Sequence, residues 1–98
     1  MSQKPIELHR LAAREARHAR RWYARRSPGS AQRFVDELRR SFVEIAATPG
    51  RWTPYLFGTR AFKLRKFPYV VVYLESDSII IAVAPTARRP GYWRRRLP

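Results

Sequence analysis

Apolar positions along the chain change period twice, and the changes mark its elements. Residues 5–9, Pro5-Ile6-Glu7-Leu8-His9, alternate with apolar side chains at 6 and 8, which predicts a short strand with one buried face. From Leu11 the spacing becomes three and four. Leu11, Ala12, Glu15, Ala16, Ala19, Trp22 and Tyr23 lie on one face of a helix, with Glu15 interrupting the stripe only by its head group. Arg10, Arg14, Arg17, Arg21 and Arg25 form a second stripe on the opposite side, and Ser27-Pro28-Gly29 predicts the stop. Ser30 is the expected N-cap of a second helix whose apolar positions are Phe34, Leu38, Phe42 and Ile45, ended by Thr48-Pro49-Gly50.

Residues 51–58 carry Trp52, Tyr55 and Phe57 without a period and read as a loop. Three strand signals follow. Residues 59–66 alternate, with Phe62 and Leu64 on one face and Lys63 and Arg65 on the other. Residues 69–75 are β-branched and aromatic, and 79–84 are apolar throughout, as expected of a strand buried on both faces. Ser76-Asp77-Ser78 is the turn between the last two, and Thr86 to Pro98 form a short basic tail. The order β-α-α-β-β-β predicts one α+β domain spanning residues 1–98. A helical hairpin would pack on one face of a small, mainly antiparallel sheet, and the other face and the tail would carry exposed basic groups.

Composition narrows the function. The 98 residues hold 21 Lys+Arg against 7 Asp+Glu, a formal net charge of +14, and no cysteine. This excludes disulfides, thiolate metal sites and a cysteine nucleophile. No metal or cofactor is expected, and no small-molecule substrate. No apolar run approaches a membrane span, and the N-terminal residues do not read as a signal peptide, so the cytoplasm is the expected compartment. A charge of +14 calls for a polyanionic or acidic partner. Eighteen of the 21 cations are arginine, a skew that GC-rich codon usage also produces. His9 and His18 have no acid or nucleophile at a telling spacing.

Two segments carry a resemblance. Phe67-Pro68-Tyr69-Val70-Val71-Val72-Tyr73, and Ala82-Val83-Ala84-Pro85-Thr86-Ala87-Arg88-Arg89-Pro90-Gly91-Tyr92-Trp93, resemble the RelE/ParE superfamily of toxins from bacterial type II toxin–antitoxin systems. The helical hairpin and the spacing of Phe34, Leu38, Ile45 and Pro49 also fit. The resemblance implies a growth-inhibiting or plasmid-stabilising toxin, silenced in a hetero-oligomer by a cognate acidic antitoxin. One branch cuts mRNA on the ribosome without a metal, and the ParE branch blocks DNA gyrase.

The branches differ in residues. RNA cutting needs cations around the scissile phosphate and a base for the 2′-OH. Lys63, Arg65, Arg88, Arg89 and Tyr92 match part of such a set. Ala61 and Val70 stand where it has a Lys and an Arg, and Pro85 where many relatives carry a His. The favoured expectation is therefore gyrase inhibition by binding, with a ribosome-dependent endoribonuclease as the alternative and a non-toxic nucleic-acid-binding module as a third class. Target or polyanion contacts are assigned to Arg60, Lys63, Arg65, Arg88, Arg89, Tyr92 and Trp93. The competing reading is that Tyr92 and Trp93 cap the core edge and the cations are simply solvated. Antitoxin contacts are assigned to Arg14, Arg17, Arg21, Trp22, Arg25 and Trp52, against the plainer reading of the arginine stripe as a wet helix face.

Overall fold

A computed structural model describes residues 5–98. The elements are β1 (Glu7–Leu8), α1 (Arg10–Arg26), α2 (Pro28–Ala47), β2 (Thr53–Pro54), β3 (Arg60–Lys63), β4 (Tyr69–Leu74) and β5 (Ile79–Pro85), with 3-10 turns at Leu56–Gly58 and Arg94–Arg96. The strands form one sheet in the order β1-β5-β4-β3-β2. β1 runs parallel to β5, and the other three pairings are antiparallel. This is the α+β arrangement of a RelE/ParE-like fold, with the helical hairpin on one sheet face.

The helix joint is tighter than the sequence predicts. Ser27 is the only residue between the helices: its N–H donates to the Tyr23 carbonyl, closing α1, and its Oγ accepts the Ser30 N–H at 3.4 Å, opening α2. The N-cap is therefore Ser27 and not Ser30. Pro28 sits in the first turn, where its preset φ helps and its missing N–H costs nothing, so Pro28-Gly29 starts the helix instead of forming the loop. At the other end of α1, His9 Nδ1 accepts the Leu11 N–H at 3.1 Å and supplies the cap. The expected loop at 51–58 contributes the edge strand β2, and the strand expected over 59–66 is cut to four residues because Leu64 to Pro68 turn.

The Phe67-Pro68-Tyr69 motif is the plug under the hairpin. Phe34 meets both Phe67 and Tyr69 with ring centroids 5.3 Å apart, and Tyr23 meets Phe67 at 5.0 Å. These rings join Leu38, Ile45, Val71, Tyr73, Ile80 and Val83 in the helix-side core.

The other sheet face differs from expectation. It is not an open basic surface but a second core of Val72, Ile81, Ala82 and Ala84 under Trp93, with Tyr55, Tyr92 and Leu97 packed around it. The physical reason is a bulge. Tyr73 pairs with Ile80 and Val72 with Ala82, so Ile81 has no partner on β4. Ile81 and Ala82 consequently both face away from the helices, and that much apolar surface must be covered. The tail folds back to cover it.

Candidate functional site

The tail is held down by one carboxylate. β1 covers β5 only at Ile79 and Ile80, which leaves the edge of β5 beyond them without a strand. Side chains take that place. The Val83 N–H donates to Glu15 Oε1 at 3.0 Å, and the Ile81 carbonyl accepts from Arg96 Nη1 at 3.1 Å. Glu15 and Arg96 close the bridge with two parallel bonds, Nη1 to Oε1 at 2.8 Å and Nη2 to Oε2 at 2.9 Å. The Tyr92 hydroxyl donates to Glu15 Oε2, and Arg88 Nη1 stands 3.9 Å from the same oxygen.

This wiring fixes the protonation states nearby. Burial, then the hydrogen bond to Glu15, pushes the Tyr92 hydroxyl well above the usual phenol range, so it stays protonated. Burial works against the charge on Arg96, but the hydrogen bond and charge of Glu15 outweigh it and raise its pKa. Arg88 lies over the Tyr92 ring at 3.6 Å, which leaves its charge at the surface.

Beside this cluster lies a concavity of about 100 Å³. Val70, Val72 and Ala84 are among its lining residues, with Tyr55, Trp93 and the two cations Arg88 and Arg89. Trp93 is 1% exposed and packs edge-on against Phe57 at 5.9 Å, so its role is to cap the core. Phe57 is 48% exposed and holds the left-handed φ of 57°, with the Arg94 guanidinium 4.5 Å over its ring. Gly91 is needed opposite it. At φ +86° a side chain there is strained, and a Cβ would stand 3.2 Å from Phe57 Cε2.

The other candidates separate. Lys63 pairs with Val70, which pairs with Ala84, so it shares the concavity's side of the sheet one strand further out. Ala61 pairs with Val72 on that same side. Arg65 instead lines a groove of about 400 Å³ between α2 and the β3–β4 turn, where Glu37 accepts the backbone N–H of Arg65 and Lys66. It is not brought together with Arg88 and Arg89. Arg60 is tied to Glu75 at 2.9 Å and to the Trp52 carbonyl at 2.8 Å. Trp52 packs on Phe62 at the β3 side of the sheet, while Arg14, Arg17, Arg21, Trp22 and Arg25 are exposed along α1.

Sequence reasoning missed Glu15, Arg96 and Phe57 as organising residues. A single acid inside an otherwise apolar and alanine-rich helix stripe is the signal that pointed to Glu15. Nothing local distinguishes Arg96 from the arginines around it.

The fold, with an apolar concavity rimmed by arginine, is that of a RelE/ParE-like protein, and among the described residues no three or more metal-ligating side chains cluster. The family model described as the ParE toxin of the type II toxin–antitoxin system, parDE, matches residues 6–90, and the chain belongs to that family. It is a toxin-family protein of a toxin–antitoxin pair, which implies an antitoxin partner. No curated protein and no solved structure matches it. Among the described residues no helix is long and apolar enough to cross a membrane.

Proposed function

We propose that the chain acts by binding and not by cutting: a toxin that inhibits DNA gyrase in the cytoplasm and is silenced when a cognate acidic antitoxin covers it. The observation that carries this reading is the state of Tyr92. Its hydroxyl proton is committed to Glu15 and its pKa is raised, so at neutral pH it neither ionises to a base nor readily gives its proton to a substrate. The surroundings agree. RNA cleavage needs several cations converging on one phosphate, and losing one such group costs about two to three orders of magnitude in rate. Here Ala61 and Val70 stand on the side of β3 and β4 where two of those cations would be, which leaves Lys63 as the cation on that side of the two strands, and Arg65 lies in a different groove.

An apolar concavity with Arg88 and Arg89 at its rim and the exposed ring of Phe57 close by has the make-up of a protein-binding hot spot. The antitoxin's acidic segment would be drawn to the same two arginines.

Calorimetry of the purified chain against the gyrase subunits tests the reading. Saturable binding is expected, with Arg88→Ala/Arg89→Ala weakening it at least tenfold. No binding to either subunit, together with A-site cleavage of message on translating ribosomes, would replace it with the endoribonuclease.

A further inference from the structure

We infer that the outward face of α1 is a docking surface for the phosphate backbone of duplex DNA. The inference stands on the charge geometry of α1 alone and is independent of the gyrase reading.

Arg10, Arg14, Arg17, Arg21 and Arg25 recur at i, i+4, i+7, i+11 and i+15, and all five are exposed. At 1.5 Å per residue they form a row about 22 Å long with roughly one guanidinium per turn. Neighbours in the row are three or four apart, so like charges face each other throughout, an arrangement that weakens a helix unless something neutralises it. Nothing in the fold does. Among the described residues none of the five forms an ion pair, and Arg21 Nε reaches only the Arg17 carbonyl of its own helix. The one acid on α1, Glu15, is turned inward and neutralised by Arg96. The face therefore presents unbroken positive charge.

The occupant follows from what the row lacks. A protein partner needs an apolar centre, and among the described residues the large exposed hydrophobic side chains are Trp22, Val43, Leu56 and Phe57, of which only Trp22 is on α1. Trp22 lies off the row with Arg26 4.0 Å over its ring, so it offers no open face for stacking single-stranded bases. What remains is a narrow, regularly charged helix, which suits a polyanion of regular spacing. The major groove of B-DNA is wide enough for such a helix, whereas that of A-form RNA is too narrow.

Fluorescence anisotropy of the full-length chain with a labelled 20-base-pair DNA duplex, across a salt series, tests this. Five phosphate contacts predict a slope of log affinity against log salt of about −4.5, or a loss of about 500-fold between 50 and 200 mM salt. Arg14→Gln/Arg17→Gln/Arg21→Gln should reduce the slope to about −1.8, and with it the loss to about 12-fold. That variant also relieves helix repulsion, so it should melt no lower than the parent, which guards against misfolding. Arg33→Gln/Arg39→Gln/Arg40→Gln removes equal charge from α2 and should leave the slope nearly unchanged. The proposal is overturned if the α2 variant loses as much as the α1 variant. It is equally overturned if an RNA duplex or polyglutamate of matched charge binds as tightly as the DNA.

Discussion

Glu15 on the first helix and Arg96 near the end of the chain form a bidentate ion pair with bonds of 2.8 and 2.9 Å, their side chains only 16% and 11% exposed. Removing either partner strands the other charge in a half-closed site and orphans the Val83 N–H or the Ile81 carbonyl. Glu15→Ala should destabilise the protein by about 3–5 kcal/mol in urea melts. A double-mutant cycle with Arg96→Ala should give a coupling of at least about 2 kcal/mol. The more exposed pair Arg60–Glu75 should give no more than about 1 kcal/mol. Equal couplings would mean that the tail is not held as described.

Phe57 separates stability from recognition. Its left-handed backbone disfavours a bulky residue by roughly 1 kcal/mol, whereas asparagine tolerates that conformation. Phe57→Asn loses contact with Trp93 but relieves the strain, so melting should change by less than about 1 kcal/mol. Gyrase binding should fall at least tenfold. A loss of about 3 kcal/mol or more in stability would instead make Phe57 a core residue.

Ser27 closes one helix and opens the next. Ser27→Ala removes the side-chain acceptor for the Ser30 N–H and should cost about 1 kcal/mol. Ser30→Ala, at the position where the sequence places the cap, should cost less. Thermal melts of the two variants decide between the caps.

Alkaline pH should loosen the fold. Burial raises the hydroxyl pKa of Tyr23, Tyr69, Tyr73 and Tyr92, with Tyr73 pushed up to about 12. In the unfolded chain these groups lose protons near pH 10, before the folded protein does. Stability is therefore fully present below pH 10 and falls as pH rises from there towards 12. A phenolate absorbance titration should show Tyr23, Tyr69, Tyr73 and Tyr92 ionising late, together with loss of helical signal. Ionisation of these four near pH 10 with the fold intact would contradict this.

Much of this structure was legible in the chain, and the failures share a cause. The two helices followed from apolar period, because one face of each is buried, and β4 and β5 from unbroken apolar and β-branched runs, because they lie between two cores. The expectation of a basic second face failed because Val72, Ala82 and Ala84 already make that face apolar, the bulge adds Ile81 to it, and the returning tail covers it. β1 was legible from the alternation of Ile6 and Leu8, whereas the two residues of β2 are too short to have a period. Trp93 read equally as contact or cap, and only the tail's return onto Ile81 and Ala84 decides for the cap. Glu15 and Arg96 are 81 residues apart, a partnership no local pattern encodes.

A toxin-family chain that works by occupying DNA gyrase should stop supercoiling by the purified enzyme. Added in increasing amounts, the full-length chain should abolish supercoiling of relaxed plasmid at a fixed molar ratio to the enzyme, and Arg88→Ala/Arg89→Ala should restore it. Supercoiling that continues unchanged at a large molar excess of folded protein would contradict the account.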